Sequence, residues 1–179
     1  MRKLKMEELG RVSVDEFKES EKTPLAIVLD DVRSALNVGS AFRSADAFAC
    51  QEVVLCGFTA QPPHREILKT ALGSCESVAW RHFEDTKTAL ETLRTEGYTL
   101  VAVEQAINTT FLQDIKNQSF IDKKYALIFG NEVEGVSDEA MKMADMVVEI
   151  PQFGTKHSLN ISVSAGIVIW EFLKGFKGL

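Results

Sequence analysis

Short apolar runs alternate with amphipathic segments along most of the chain from residue 24 onward. Six of them have the length and composition of buried strands: LAIVL (25–29), EVVLC (52–56), SVAW (77–80), TLVAV (99–103), YALIF (125–129) and MVVEI (146–150). Continuous apolar runs separated by helical segments are typical of strands that are covered on both faces. The pattern therefore predicts an α/β fold with a mainly parallel six-stranded sheet flanked by helices.

The segments between the runs carry helical periodicity and recognisable helix ends. NVGSAFRSADAFA (37–49) places its apolar residues on one helical face, with Asn37 as the candidate N-cap. Ser137 is the candidate N-cap of the helix in SDEAMKMAD. The last helix, from about Ile161 to Leu173, is apolar on nearly every side, so we expect it to pack on the sheet and on a second subunit.

Residues 1–23 differ from the rest of the chain. They hold six basic and six acidic side chains with sparse apolar positions, and Ser13 and Glu16 have the spacing of a capping box. We interpret residues 1–23 as an N-terminal helical arm and residues 24–179 as one domain. The basic start of the chain has no apolar run behind it, so neither a signal peptide nor a membrane span is predicted, and we expect a cytoplasmic protein.

The net charge and the cysteine residues limit the classes of function that the sequence is compatible with. The net charge of −6 argues against a surface that is positive overall, although a local basic site stays possible. Cys50, Cys56 and Cys75 are an odd number without CxxC spacing, which indicates reduced cysteines. No residues have metal-ligand spacing, and no serine has the G-x-S-x-G context, so neither a metal site nor a serine hydrolase is predicted.

Chemistry in a parallel sheet is expected in the loops that follow the strands. The first such loop, LDDVRSALNVGSAFR (29–43), combines Asn37, a glycine that permits close approach at Gly39, and Arg43. A capped helix with a solvated arginine explains these residues as well as a binding site does. Both interpretations stay open at this point.

Two further loops have unusual composition. IFGNEVEGVSDEA (128–140) has the glycine spacing of a phosphate-binding loop, but Val136 replaces the lysine, and Glu132 and Glu134 would repel phosphates. An ordinary strand-to-helix turn and a site for a cationic or hydroxyl-bearing ligand are equally compatible with it. QFGTKHSLNISVSAG (152–166) precedes the most apolar stretch. Ser158 or Asn160 can cap the following helix, which leaves other polar groups, including His157, to favour a binding role.

Together, NVGSAFR (37–43), FGNEVEGVS (129–137) and IPQFGTKHSLNISVSAG (150–166) resemble the signature motifs of SPOUT RNA methyltransferases, in the TrmH (SpoU) branch. The resemblance spans about residues 24–172. It implies a homodimer with a deep C-terminal trefoil knot that transfers methyl groups from S-adenosylmethionine to a ribose 2′-hydroxyl of tRNA or rRNA, leaving S-adenosylhomocysteine. A base-nitrogen RNA methyltransferase and a non-catalytic RNA-binding or assembly protein are the alternatives.

The resemblance also assigns roles to residues. The implied catalytic set is Arg43, Asn37, Glu132, Ser158 and Asn160, and the implied cofactor contacts are Val103, Glu104, Gly130, Ile150 and Leu159. Arg43 is the family's proposed base, but a guanidinium stays protonated in proteins. It acts either as a base after its proton is relayed to a phosphate or carboxylate, or as a cation that fixes the adjacent phosphate.

Without a large RNA-binding domain, RNA selection would depend on the catalytic dimer, the arm and local basic residues. These candidates are Arg11, Arg33, Lys69, Lys156 and His157. Because the protein is acidic overall, we expect RNA binding to be weak and steeply salt-dependent.

Overall fold

Seven strands form one sheet in which every pairing between them is parallel. They are β1 (Thr23–Asp30), β2 (Cys50–Cys56), β3 (Trp80–Phe83), β4 (Tyr98–Val103), β5 (Thr110–Phe111), β6 (Lys124–Phe129) and β7 (Met146–Glu149). The structure, a computed structural model, describes residues 1–117, 120–156 and 158–179, without the side chains of Met6, Lys116 and Asn117. The predicted binding residue His157 lies outside the described residues.

Helices connect the strands and cover both faces of the sheet. They are α1 (Val14–Glu19), α2 (Ala35–Ala47), α3 (Arg65–Ala71), α4 (Ser74–Ser77), α5 (Thr86–Thr95), α6 (Asp138–Met143) and α7 (Ile161–Lys177), with 3-10 turns at Met6–Leu9 and Leu112–Asn117. The α/β class and the parallel sheet are confirmed.

The predicted number of six strands is wrong by one. The additional strand, β5, has two residues and pairs with Val148 and Glu149 of β7, so it is too short to produce an apolar run. The prediction over 77–80 is also displaced, because Ser77 ends α4 and β3 begins only at Trp80. The other five strands lie within two residues of their predicted bounds.

The strand order β3-β2-β1-β6-β4-β7-β5 places a reversal of the winding direction between β1 and β6. Since all strands are parallel, the loops after β1, β4, β6 and β7 leave the sheet at the same edge. Ligands of open α/β sheets bind at such an edge, near the reversal. The topology therefore brings together the three loops with unusual composition.

The pleat of the central strand divides the core into two layers. Leu25, Ile27 and Leu29 of β1 pack in the cluster that includes α2 and α7, whereas Ala26 and Val28 pack with α5. All five side chains are fully buried. This two-sided burial explains why the strand reads as a continuous apolar run rather than an alternating one.

The N-cap residues of two helices are among those predicted from the sequence, and the N-cap residue of a third helix is not. Ser137 caps α6, as predicted, and of the two candidates Ser158 and Asn160 it is Asn160 that caps α7. The prediction that Asn37 caps α2 is wrong, because the hydroxyl of Ser34 accepts the hydrogen bond from the Asn37 N–H and α2 begins at Ala35. Asn37 therefore lies inside the first turn, with its side-chain amide free for other partners.

Burial keeps two of the three cysteine thiols protonated. All three cysteines are free, and burial raises the pKa of Cys50 and of Cys56 to about 12, so both thiols stay protonated near neutral pH.

In the part of the chain that the structure describes, no helix is long and apolar enough to cross a bilayer.

Gly39 sets the distance between α2 and α3. A Cβ atom at this position would collide with the Ile67 carbonyl and with the Thr70 hydroxyl, which donates a hydrogen bond of 2.9 Å to the Leu36 carbonyl. Close contact with backbone cannot be relieved by a rotamer change. The glycine is therefore required for packing rather than for conformational freedom.

We predict that Gly39→Ala lowers the free energy of unfolding by about 1–3 kcal/mol, the usual effect of overpacking. Gly166→Ala is the matched control, because a Cβ there meets no atom within 4 Å and alanine favours the α7 helix by up to about 1 kcal/mol. Urea unfolding of both variants measures the difference. Equal stabilities would contradict the close approach.

Candidate active site

The carboxylate of Glu132 joins the loops that follow β1 and β6. One oxygen accepts a hydrogen bond from the backbone N–H of Arg33 (2.9 Å), and the other accepts from the N–H of Ser34 (3.0 Å) and from the amide of Asn37 (2.9 Å). The carboxylate thus lies at the N-terminal end of α2, where the helix dipole favours negative charge. One side chain fixes the start of α2 relative to the loop after β6.

These surroundings hold the pKa of Glu132 below its ordinary value. Partial burial acts in the opposite direction, but the hydrogen bonds from Asn37 and from backbone N–H groups outweigh it. The side chain is therefore charged throughout the neutral range. Because the folded-state pKa is lowered, the resulting stabilisation is complete above the unfolded-state pKa and is lost as the pH falls through the folded-state value.

Asn160 extends the hydrogen-bond network to the third loop. Its Nδ2 donates to Oδ1 of Asn37 (3.2 Å), and its Oδ1 accepts from the N–H and the hydroxyl of Ser162 (2.8 and 2.6 Å). The same side chain therefore caps α7 and contacts α2. We call the hydrogen-bonded set Glu132, Asn37 and Asn160 the three-loop network.

The loop from Gly130 to Val136 is a tight turn. Asn131 and Gly135 exchange two backbone hydrogen bonds of 2.9 Å, and the amide of Asn131 donates to the Asp31 carbonyl (2.8 Å). A Cβ on Gly130 would overlap the backbone of Gly135. The glycines that give this segment the spacing of a phosphate loop are thus used for close approach of the chain to itself.

A hollow of about 760 Å³ opens beside this turn, between the ends of β4, β6 and β7. Its volume falls within the ordinary range of ligand pockets. It is lined by all five predicted cofactor contacts, Val103, Glu104, Gly130, Ile150 and Leu159, and by the predicted catalytic residues Glu132, Ser158 and Asn160. Asn37 is not part of the lining but is hydrogen-bonded to two residues that are.

Glu104 lines the large hollow, and its side chain also forms hydrogen bonds with two backbone N–H groups. Its carboxylate accepts hydrogen bonds from the N–H of Val136 (3.0 Å) and of Gln105 (2.9 Å), and a Cβ on Gly135 would collide with it. Gly135 has a φ of +73°, which also favours glycine. Glu104 therefore ties the turn after β6 to the end of β4.

Arg43 does not reach the large hollow. It lines a neighbouring hollow of about 690 Å³, which Lys69 and Ser162 also line. Its guanidinium is exposed and has no hydrogen bond or salt bridge to any residue that the structure describes. Ser162 connects the two hollows, because it is hydrogen-bonded to Asn160 in the lining of the larger one.

The chain matches one protein family over most of its length. Residues 24–170 fit the SpoU rRNA Methylase family. The chain belongs to this family. A tRNA (guanosine(18)-2′-O)-methyltransferase from Thermus thermophilus is 30% identical over 166 residues, which are 92% of this chain and 81% of that protein.

Solved SpoU structures share the fold. An AdoMet-bound rRNA methyltransferase from Sinorhizobium meliloti is 28% identical with a TM-score of 0.77, covering 86% of this chain and 57% of that one. The A. aeolicus TrmH/SpoU tRNA modifying enzyme is 24% identical with a TM-score of 0.79, covering 92% and 81%. Other SpoU relatives are longer: this chain spans 42% of an uncharacterised tRNA/rRNA methyltransferase from Synechocystis and 61% of an rRNA methyltransferase from Neisseria meningitidis.

Three residues of the candidate site were missed by sequence reasoning. Ser34, Asn131 and Ser162 each form hydrogen bonds that hold the candidate loops in place, whereas Lys69, one of the predicted basic residues, lines the same hollow as Arg43. Asn131 was detectable, because it stands between the glycine and the glutamate of the second motif.

Among the described residues, no His, Cys, Asp and Glu side chains cluster closely enough to hold a metal ion.

We predict that Glu132→Gln lowers the free energy of unfolding at pH 7 by about 1 kcal/mol, because it removes the charge that the two N–H groups and Asn37 stabilise. The difference from wild type should shrink as the pH falls below 4.5, the ordinary glutamate pKa, because the unfolded chain then takes up a proton first, and it should vanish once the folded wild-type carboxylate, whose pKa is lower, is protonated as well. Urea unfolding at several pH values measures it.

Glu134→Gln is the matched control, since its carboxylate lies exposed in the same turn and has no hydrogen-bond partner among the described residues. It should leave stability nearly unchanged. Equal stabilities of the two variants at pH 7 would show that the network around Glu132 does not stabilise the fold.

Proposed function

We propose that this protein is an S-adenosylmethionine-dependent RNA methyltransferase that modifies a ribose 2′-hydroxyl of tRNA, with rRNA as the other candidate substrate. The observation that carries the proposal is the three-loop network of Glu132, Asn37 and Asn160 beside a ligand-sized hollow. Family membership and the name of the Thermus relative support the chemistry.

The large hollow fits the proposed cofactor in size and in lining. Val103, Ile150 and Leu159 supply apolar surface, and the tight backbone at Gly130 leaves room for a ligand to approach main-chain groups. The carboxylates of Glu104 and Glu134 also line it, which suits a cationic ligand and disfavours a phosphate. Bound there, the cofactor would supply an electrophilic methyl group on a positively charged sulfur.

Transfer requires the ribose hydroxyl in line with the methyl group and removal or strong polarisation of its proton. We propose that Asn160 and Ser158 orient the ribose at the edge of the hollow, while Glu132 keeps the loops in place. The hollow that Arg43 lines contains no carboxylate, so no acidic side chain there can take a proton from it. Because a guanidinium stays protonated in proteins, we propose that Arg43 is the cation that fixes the neighbouring phosphate.

We also propose that the protein is a homodimer that uses the outer face of α7. Val163, Ile167 and Trp170 of that helix are 50%, 39% and 45% exposed although they are large and apolar. Surface of this kind along one helix is typical of a subunit interface. Burial of α7 on one side against α2 leaves this face available for a second copy.

The proposal also includes the division of the chain into an arm and a catalytic domain, and a knot in that domain. Residues 24–179 would form the catalytic domain, with the C-terminal segment passing through a deep trefoil knot, and residues 1–23 would form an arm. The capping box that Ser13 and Glu16 form at the start of α1 supports a helical arm. Phe17 of α1 packs against the main core, which supports an arm that docks on the domain.

Methyl-labelled S-adenosylmethionine with unmodified total tRNA, and separately with rRNA, tests the function by nucleoside analysis of the digested RNA. We expect a 2′-O-methylnucleoside from one pool. A methylated base would contradict ribose specificity. Cofactor binding without transfer to either pool would contradict the enzymatic function and favour a binding or assembly protein.

We predict that Arg43→Ala abolishes this transfer while leaving the affinity for the cofactor unchanged, because Arg43 does not line the large hollow. Arg94→Ala, on α5 at the opposite face of the sheet, is the control and should retain activity. Turnover and cofactor titration are measured on the same samples. Substantial transfer by Arg43→Ala would show that another residue fixes the substrate.

A further inference from the structure

A second hollow next to the proposed active site has an unusual lining. It holds two cationic side chains, four hydroxyl groups and no carboxylate. The lining residues are Ser40, Arg43, Ser44, Ala47, Phe48, Lys69, Thr70, Leu72 and Ser162. In a protein with a net charge of −6, this composition makes the hollow a local positive site. We call it the Arg43–Lys69 groove.

The packing of α3 on α2 creates the groove. Gly39 permits the two helices to touch, and the Thr70 hydroxyl donates to the Leu36 carbonyl across the contact. Lys69 precedes Thr70, and Arg43 follows Gly39 by about one helical turn. The same close contact therefore brings two cations from different helices into one groove.

Both cations lack a partner within the protein. Neither Arg43 nor Lys69 forms a side-chain hydrogen bond or salt bridge with the residues that the structure describes. By contrast, Arg81 and Arg94 are each paired with a carboxylate. Two neighbouring cations without carboxylates repel one another, so an anion that bridges them gains from both.

We propose that Lys69 binds the same backbone phosphate of the RNA substrate that Arg43 is proposed to fix, beside the nucleotide that is methylated. This inference rests on the proposed function. A guanidinium fork binds two phosphate oxygens at once, and an ammonium group adds a point charge. The hydroxyl group of Ser44, which forms no hydrogen bond with the described residues, supplies a further donor at the same place, whereas those of Ser40 and Ser162 already donate to the Leu36 carbonyl and to Asn160.

The position of the groove relative to the cofactor hollow supports a phosphate of the same RNA strand. Ser162 lines the groove and donates two hydrogen bonds to Asn160, which lines the larger hollow. The groove therefore adjoins the place where the ribose of the proposed substrate would lie. Lys69 becomes a substrate-binding residue, and it holds RNA rather than the cofactor.

Lys69→Gln tests the inference, with RNA affinity measured over a range of salt concentrations. A lysine that neutralises one phosphate adds about 0.9 to the slope of log affinity against log salt. We expect Lys69→Gln to lower that slope by about 1 and to weaken tRNA binding several-fold, with cofactor affinity unchanged. Lys69→Arg should restore the slope, because it keeps the charge.

Lys87→Gln is the matched control, since Lys87 is an exposed lysine on α5 at the opposite face of the sheet. Equal salt slopes for Lys69→Gln and Lys87→Gln, in a protein that transfers methyl groups to RNA, would overturn the groove but not the proposed function. Loss of the dimer by Lys69→Gln in sedimentation would also overturn it, since the groove would then bind a second copy of the chain. A wild-type protein that neither binds nor methylates RNA would overturn the proposed function itself.

Discussion

The site depends on one carboxylate that three donors from a different loop hold in place. Glu132 stands in the turn after β6, and its partners Arg33, Ser34 and Asn37 stand at the start of α2. The two segments are about 100 residues apart in sequence, so the contact depends on the pairing of β1 with β6 in the sheet. The carboxylate then satisfies the two backbone N–H groups that directly precede α2 and the side-chain amide of Asn37.

Close backbone approach gives the site its shape. Gly130 lets the turn after β6 fold against itself, Gly135 leaves room for the carboxylate of Glu104, and Gly39 lets α3 pack on α2. The first two shape the large hollow and the third shapes the Arg43–Lys69 groove. Each glycine thus shapes a hollow that residues from other segments line. For this reason, no single sequence motif predicts either hollow.

Sequence patterns predicted the layers of the fold well, because the apolar runs of strands such as β1 and β6 directly reflect burial on both faces. They failed where an element is too short to have a pattern, as at β5, or where two candidates compete for a cap, as with Ser34 and Asn37. The five residues assigned to the cofactor came from resemblance to a family, and they line one hollow. Arg43 does not line that hollow but lies in a second one together with Lys69. This arrangement depends on how α2 packs on α3, and no local sequence pattern predicts that packing.

The most direct test of the three-loop network is a double-mutant cycle on Asn37 and Asn160, whose side chains are joined by a 3.2 Å hydrogen bond. The single variants Asn37→Ala and Asn160→Ala and the double variant are compared in urea unfolding. If the two amides act as one unit, their effects on the free energy of unfolding are not additive and differ from the sum by about 0.5 kcal/mol or more. Additive effects, within about 0.3 kcal/mol, would contradict a network that holds the three loops together.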